Sequence, residues 1–153
     1  MKDLDFIDRK ILRSVQKNGR ISNANLADEV GLSTSACHRR LQRLFEDSII
    51  SSVVALVNER SVKLNSTVFV EIKLLRQVDD VLEEFEKAVC LIPEVLECHL
   101  MAGSADYLLK VVVADAEDFE RIHRKHLSRL QNGSNMTSSF SLRKVYNSTA
   151  LPI

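Results

Sequence analysis

The sequence contains few of the residues that mark specialised protein classes. Among its 153 residues there are 3 cysteines, 2 prolines, 4 glycines and no tryptophan. The cysteines Cys37, Cys90 and Cys98 include no CxxC pair, which argues against a disulfide framework and against a zinc finger. The scarcity of glycine and proline, together with 45% hydrophobic residues, excludes a disordered or low-complexity chain.

Long apolar runs are missing as well. The N-terminal stretch MKDLDFIDRK has no apolar run of the kind that forms a secretory signal. No segment approaches the roughly 18 consecutive apolar residues of a membrane-spanning helix. We therefore expect a soluble, cytoplasmic protein that has no membrane partner.

Net charge is also absent, because 21 Lys and Arg residues balance 21 Asp and Glu residues. The distribution is uneven, however: residues 1–60 carry 10 basic and 8 acidic side chains, and residues 61–153 carry 11 and 13. Between Gly31 and Leu44 there are three arginines and no acid. The positive charge is therefore a local patch, and it is either a solvated surface or a binding surface.

The N-terminal third has the pattern of three short helices. Apolar residues recur at helical spacing on the first one: Leu4, Ile7, Ile11 and Val15. The second carries Leu26, Ala27 and Val30 inward. Ser22 and Ser33 are suited to cap the second and third helices, and Gly31 is suited to a left-handed stop between them. Two short helices joined by Gly-Leu-Ser predict a helix-turn-helix.

The stretch GLSTSACHRR, at 31–40, places a thiol, an imidazole and two guanidinium groups close together in sequence. Such groups can bind a metal, activate a cysteine or contact a nucleic acid. On a helix, however, Cys37 falls on the apolar stripe with Leu41 and Leu44, and His38 points about 100° away from it. We therefore interpret Cys37 as a small buried hydrophobe, which leaves nucleic-acid binding as the chemistry of the stretch.

The outward face of the third helix is rich in hydrogen-bonding groups. It carries Thr34, Ser35, His38, Arg39, Arg40, Gln42 and Arg43. Residues early in a recognition helix lie nearest the bases, so we predict base or near-base contacts from Thr34, Ser35, His38 and Arg39. Gln42 has the amide that can hold adenine, and Arg40 and Arg43 are expected mainly on phosphates. The alternative is an ordinary solvated helix face.

The rest of the chain follows a different pattern. A β-branched run at 49–58 predicts a strand leaving the first module, and the polar residues 59–66 predict a linker. Strands and helices then alternate as strand, helix, strand, strand, helix and strand, at 67–75, 78–92, 94–102, 106–114, 116–130 and 137–147. This order predicts an α+β protein: a winged-type helix-turn-helix domain at 1–60, followed at 61–153 by a ferredoxin-like βαββαβ domain.

Both faces of two predicted strands are apolar. In TVFVEIKLL and DYLLKVVVA, alternate positions on either face carry hydrophobic side chains, whereas a sheet with one solvated face alternates more cleanly. Helices cover only one face in this fold. The other face is therefore expected to pack on a second subunit, which predicts a dimer or a larger assembly.

Metal and catalytic chemistry find little support. Cys98, His99, His123 and His126 do not form a closed ligand set, so we expect no metal. No Ser/His/Asp arrangement, phosphate-binding glycine loop or nucleophile elbow is present, so we expect neither catalytic residues nor a cofactor. A small enzyme and a stand-alone metabolite-binding module remain the rival interpretations.

The stretch MAGSADY contains Met101, Ala102, Gly103, Ser104, Ala105, Asp106 and Tyr107. It lies between two predicted strands, where glycine and aspartate favour an ordinary β-turn. A small-molecule loop is the alternative, because exposed backbone N–H groups can hold a carboxylate and Asp106 can hold an ammonium group.

Two long stretches of the sequence resemble one protein family. LDFIDRKILRSVQKNGRISNANLADEVGLSTSACHRRLQRL resembles the N-terminal half of the Lrp/AsnC (feast/famine) transcription regulators. ECHLMAGSADYLLKVVV and the closing TALPI resemble their C-terminal amino-acid-responsive domain, called RAM. At one turn the chain departs from the family, which usually has glycine where Ser48 stands.

The resemblance implies a sequence-specific regulator that binds double-stranded DNA. It also implies a homodimer, assembly of four dimers into an octamer, and modulation by an amino-acid effector bound in the C-terminal half. Carried over by position, Gly103 to Tyr107 form part of the effector pocket. Thr137 and Ser139, on the last strand, are further candidates for it.

Overall fold

The computed structural model describes residues 3–130 and 133–153. The chain forms two compact units: one contains the residues up to Leu56 together with Val145–Ile153, and the other is Val57–Lys144. The sequence-based division at residue 60 therefore differs near the linker and also at the C-terminus. Residues 145–153 belong to the first unit because Ile153 packs against its core and Leu151 N–H donates to Gln16 Oε1 at 2.6 Å.

Three helices build the first unit: α1 (Phe6–Lys17), α2 (Asn23–Val30) and α3 (Thr34–Glu46). Ser22 and Ser33 cap α2 and α3 through their hydroxyls, which accept from the N–H groups of Asn25 and Ala36. Gly31 ends α2 in the left-handed conformation, with φ 74°. The predicted helix-turn-helix is thus confirmed. The N-caps Ser22 and Ser33 and the left-handed helix stop at Gly31 are confirmed with it.

The core of this unit is formed by apolar residues from all three helices: Ile11, Leu12, Leu26, Ala27, Val30, Cys37 and Leu44. The sequence pattern predicted all of them except Leu12. Three of the stripe residues predicted for the first helix, Leu4, Ile7 and Val15, are only partly buried and pack against the edge of this core. Burial of this face positions α3 so that its opposite side meets solvent.

The predicted strand at 49–58 is wrong. Residues 51–58 have no assigned secondary structure, and no strand pairs with them in the described chain. Their apolar side chains are largely exposed, with Val54 at 71% and Leu56 at 73%. A β-branched run indicates an extended backbone, but a strand also requires a hydrogen-bonding partner, which one copy of these residues does not supply. For this reason the described N-terminal unit has no wing.

The second unit contains a four-stranded antiparallel sheet covered by two helices. Its elements are β1 (Ser66–Leu74), α4 (Asp79–Val89), β2 (Val95–Leu100), β3 (Tyr107–Val113), α5 (Ala116–Lys125) and β4 (Gly133–Phe140). The strand order is β2-β3-β1-β4. The predicted βαββαβ arrangement is confirmed, although β4 ends seven residues before its predicted end at 147.

One face of the sheet is buried under the helices. Alternate residues of β1, namely Val68, Val70, Ile72 and Leu74, face the same core as Phe85 and Val89 of α4 and Phe119 and Ile122 of α5. On the opposite face Phe69 and Glu71 are exposed. Lys110 and Glu97 form an ion pair there at 2.5 Å, so this face is a mixture of apolar and charged groups.

The turn after α3 provides a direct test of backbone strain. Ser48 has φ 57°, in the left-handed region that costs an L-residue roughly 1–2 kcal/mol. We expect Ser48→Gly to raise the free energy of unfolding by about 0.5–1 kcal/mol, since the flexibility of glycine in the unfolded chain offsets part of the gain.

Gly31→Ala should have the opposite effect, a loss of about 1 kcal/mol. An added Cβ at Gly31 would meet no atom within 4 Å, so only the positive φ opposes the substitution. Urea denaturation of both variants checks the pair. A loss of stability in Ser48→Gly would contradict the strain at this turn.

Candidate functional site

One row of side chains on α3 points to solvent without internal partners. Arg39 and Gln42 are exposed, and within the described part of the chain neither makes a side-chain hydrogen bond or an ion pair. Thr34 and Ser35 extend this row toward the start of the helix, where the Ser35 hydroxyl lies 3.3 Å from that of Ser33. These groups are therefore available to an external hydrogen-bonding partner.

His38 lies beside this row and links two helices. Its Nδ1 is 2.8 Å from Asn23 Nδ2, at the start of α2. The His38 side chain remains exposed, and its Nε2 makes no hydrogen bond within the described residues. The contact orients the ring and leaves one nitrogen for a ligand.

A second row on α3, formed by Arg40 and Arg43, contacts α1. Arg40 Nη1 donates to Asp8 Oδ1 at 2.9 Å and to Asp5 Oδ2 at 2.6 Å. Arg43 Nη2 donates to Asp8 Oδ2 at 2.5 Å. Asp5 and Asp8 are themselves joined by the capping box that begins α1. Two carboxylates and two guanidinium groups thus form one network between α1 and α3.

Hydrogen bonds and charge favour the ionised forms of two members of this network, Asp5 and Arg40. The N–H of Asp8 and the guanidinium of Arg40 lower the pKa of Asp5. Hydrogen bonds to Asp5 and Asp8 raise the pKa of Arg40 above its already high value. Both groups therefore stay charged at neutral pH.

Together the two rows make a concave, basic surface. It is lined by His38, Arg39, Arg40, Gln42, Arg43 and Glu46. The single acid among them, Glu46, lies at the end of the helix. This surface has the character expected of a phosphate- and base-contacting element.

The turn at 101–106 joins β2 to β3. It is closed by Met101 N–H, which donates to the Asp106 carbonyl at 2.8 Å. The side chains of Met101 and Ser104 are exposed, and Ala105 is half-buried. A Cβ added at Gly103 would meet nothing within 4 Å, so the space above the turn is open.

Asp106 lies beneath the turn and is already hydrogen-bonded. It is one of two buried acids among the described residues. Its carboxylate accepts from Leu74 N–H at 2.7 Å and from Gln77 Nε2 at 2.6 Å. Its own N–H donates to Ile72 O at 2.9 Å. Asp106 therefore ties the turn to the end of β1, a role that the sequence pattern did not suggest for Gln77 or Leu74.

Tyr107 faces the helices and not the open side of the turn. Its ring is 1% exposed and packs against Phe85, with ring centroids 4.5 Å apart. Its hydroxyl donates to Glu86 Oε1 at 2.7 Å. Burial, and then the neighbouring Glu86 carboxylate, raises the pKa of Tyr107. Its side chain packs against α4, and only its backbone borders the turn.

The two candidates on β4 lie on the sheet face away from the helices. Thr137 is paired with Glu71, and Ser139 with Phe69, and both side chains are exposed. Residue 72 of β1 pairs with Tyr107 on one side and Met136 on the other. Thr137 therefore lies at the same end of the sheet as the turn, and Ser139 lies two residues farther along.

Comparison with known proteins assigns both units. Residues 4–44 match the AsnC-type helix-turn-helix domain, and residues 67–151 match the Lrp/AsnC ligand binding domain. The leucine-responsive regulatory protein of Escherichia coli is 41% identical over 152 residues, which cover 99% of this chain and 93% of that protein. This chain belongs to the Lrp/AsnC family of transcription regulators.

Solved Lrp/AsnC structures share the whole fold. A transcriptional regulator of Neisseria meningitidis in complex with L-methionine has a TM-score of 0.93 and 35% identity, over 98% of this chain and 97% of that one. An AsnC family regulator of Agrobacterium tumefaciens also gives 0.93, with 36% identity over 97% and 96% of the two chains. The feast or famine regulatory protein of M. tuberculosis, complexed with L-methionine, gives 0.82 with 31% identity over 95% and 96%.

Membership in the Lrp/AsnC family decides the class of function. The chain is a transcription regulator with a DNA-binding helix-turn-helix and an amino-acid-binding domain, and the family is not one of enzymes. The family model of the second unit is a ligand binding domain, and the ligand of the M. tuberculosis relative is L-methionine. Among the described residues no helix is long and apolar enough to cross a membrane.

Of the three cysteines of this Lrp/AsnC chain, Cys37 is buried as the sequence predicted. That thiol is fully buried in the core of the first unit, and burial raises its pKa. Cys90 and Cys98 are exposed, and desolvation raises the pKa of Cys98 to about 11. In residues 3–130 and 133–153 no three His, Cys, Asp or Glu side chains are grouped to hold a metal.

Proposed function

We propose that this regulator reads specific DNA sequences with α3, and that an amino acid bound at the 101–107 turn modulates it. The observation that carries the first part is the exposed row of α3, where Arg39 and Gln42 have no side-chain partner within residues 3–130 and 133–153. A polar network within the protein would hold these groups, whereas a DNA-reading face leaves them solvated and able to exchange water for base edges. Since the proposed target is DNA, we place the protein in the cytoplasm.

The contacts divide between bases and backbone. Thr34, Ser35, His38 and Arg39 are proposed for base or near-base contacts, because they lie on the N-terminal half of α3. Gln42 extends the same row by one turn. Arg40 and Arg43 bring positive charge to the rim of the surface, where the phosphates of double-stranded DNA would pass.

Two alanine variants test this division. Arg43→Ala should weaken binding to all duplexes and make the slope of log K against log salt less negative by about 0.9, the value expected for one lost phosphate contact. Arg39→Ala should weaken operator binding by about 1–3 kcal/mol and reduce the preference over random DNA. Fluorescence anisotropy at four salt concentrations measures both effects.

Arg129→Ala is the matched control for these variants. It removes the same charge from an exposed arginine of the other unit. It should bind operator and random DNA like the unaltered protein. If Arg39→Ala and Arg43→Ala also behave like the unaltered protein, α3 is not the DNA-reading helix.

The effector proposal rests on the open turn at 101–107. Its exposed residues Met101, Ala102, Gly103 and Ser104 present backbone to solvent above the buried Asp106. Ala105 and Tyr107 contribute backbone, and Thr137 and Ser139 supply hydroxyls at the neighbouring strand. One end of the sheet would therefore present hydrogen-bond donors to the carboxylate of an amino acid and acceptors to its ammonium group. L-Methionine, the ligand in two structural relatives, is the first probe.

Asp106→Asn tests the effector site. We expect at least a fivefold loss in affinity for L-methionine, or for whichever of the twenty amino acids raises the melting temperature most. The fold should persist, because an asparagine oxygen can still accept from Leu74 N–H and the Gln77 amide can rotate. Isothermal titration calorimetry measures the affinity. Glu117→Gln, an exposed acid on α5, is the control for lost charge, and equal affinities in all three proteins would remove Asp106 from the site.

We propose further that the chain forms a homodimer, and that four dimers assemble into an octamer. Supporting this, apolar side chains of both units are exposed in a single copy, among them Val54, Leu56, Phe69, Leu100 and Leu142. Isolated exposed hydrophobes are ordinary, but this many in one small chain favour an interface. Assembly also joins several small basic surfaces on one scaffold, which would offset the absence of net charge.

Static light scattering after size-exclusion chromatography tests assembly. At micromolar concentration the expected mass is eight times the 17.3 kDa of one chain, with a dimer on dilution. Leu142→Ser, at a fully exposed position, serves to probe the interface. A monomer at these concentrations would contradict the assembly proposal and leave the DNA-binding proposal to its own test.

A further inference from the structure

Asp8 is a buried charge in the middle of the DNA-binding unit. Its side chain is 1% exposed and lies in the first turn of α1, whose other buried side chains, Ile11 and Leu12, are apolar. A carboxylate in that position is stable only when it is paired and hydrogen-bonded. Arg40 and Arg43 supply both requirements from α3, at 2.9 and 2.5 Å.

The two arginines are three positions apart, so both project from the same side of α3 toward α1. The row formed by Arg39 and Gln42 lies next to them on the helix surface. Any rotation of α3 about its axis would move Arg40 or Arg43 away from Asp8 and leave the buried charge underpaired. The network therefore adds a directional constraint to the apolar packing that already turns the opposite side of α3 outward.

Arg40 and Arg43 differ in how much of each remains available. Arg40 uses Nη1 for both Asp5 and Asp8, and its side chain is 29% exposed. Arg43 uses Nη2 for Asp8 alone and is 44% exposed. The Nε and Nη1 of Arg43 make no hydrogen bond in the part of the chain that the structure describes. Arg40 also leaves its Nε and Nη2 without a hydrogen bond within the described residues, but its Nη1 is shared by two carboxylates and its side chain is less exposed. Arg43 is therefore better placed to hold Asp8 and a phosphate at the same time through separate edges.

We propose that Asp8 is a positioning residue for DNA recognition, that Arg40 is the structural tie between α1 and α3, and that Arg43 bridges Asp8 to a DNA phosphate. This rests on the proposed role of α3 in reading DNA. It revises the expected phosphate contact of Arg40 and assigns Asp8, which lies outside the helix-turn-helix motif, to sequence discrimination.

The salt dependence of binding separates a tie from a phosphate contact. Arg43→Gln should flatten the slope of log K against log salt by about 0.9, because one phosphate contact is lost. Arg40→Gln should leave the slope unchanged, because no counterion is released at that position. It should nevertheless lower the ratio of operator to random-DNA affinity at least fivefold, since α3 is no longer held at one angle.

Asp8→Asn removes the buried charge and keeps the side-chain shape. The ratio of operator to random-DNA affinity should fall at least fivefold without a flatter salt slope. Asp28→Asn, on α2, is the matched control, because it makes the same charge change at an exposed position and should leave the ratio unchanged. A purely structural role for Asp8 would lower binding to both DNAs by one factor, through the folded fraction, and would leave their ratio intact.

Circular dichroism first establishes that each variant is folded, and if Asp8→Asn is not, Arg40→Gln carries the test. The inference is overturned if Arg40→Gln flattens the slope as Arg43→Gln does, or if it leaves the affinity ratio unchanged. The variant Arg39→Gln distinguishes failure of this inference about Asp8 and Arg40 from failure of the proposed DNA-reading role of α3. If Arg39→Gln changes neither the operator affinity nor the affinity ratio, α3 does not read DNA. If it changes them while Arg40→Gln fails its test, only the proposed roles of Arg40 and Asp8 are wrong.

Discussion

A buried carboxylate between two helices is the constraint on which the DNA-binding unit depends. Asp8 brings a charge into a site with 1% exposure, and two arginines of α3 neutralise it. Apolar packing of Ile11, Cys37 and Leu44 brings α1 and α3 together, but hydrophobic contact is non-directional and tolerates some rotation. Short charge-assisted hydrogen bonds do not, because they require the guanidinium groups at fixed positions. The network thus converts a packed pair of helices into an oriented surface.

Local patterns in the sequence predicted most of the DNA-binding unit. They did not predict the contacts between residues that are distant in sequence. Ser22, Gly31 and Ser33 act on neighbouring backbone, so their caps and turn could be predicted from spacing alone. Asp8 contacts Arg40 and Arg43, which are 32 and 35 positions away in sequence, and no local pattern predicts contacts over such separations. For the same reason an apolar run at 49–58 predicted a strand that one copy of the chain does not form.

The turn at 101–107 shows a similar division between the position of its residues and the direction of their side chains. The residues 101–107 could be predicted as a turn between strands, and the structure has it there. The direction of each side chain depends on strand register, which sends Tyr107 under the helices and Asp106 to the end of β1. The two residues with the richest chemistry in the turn are therefore engaged inside the domain. The residues around Gly103 and the side chains of Thr137 and Ser139 on β4 are left exposed.

The central claim is that α3 enters DNA in the orientation that Asp8 imposes. A crystal structure of the regulator bound to a duplex carrying its operator tests this most directly. The account predicts Arg39 and Gln42 at base edges in the major groove, Arg40 still within hydrogen-bonding distance of Asp8, and Arg43 shared between Asp8 and a phosphate. A complex in which both arginines leave Asp8 for the DNA backbone, or in which α3 lies outside the groove, would contradict it.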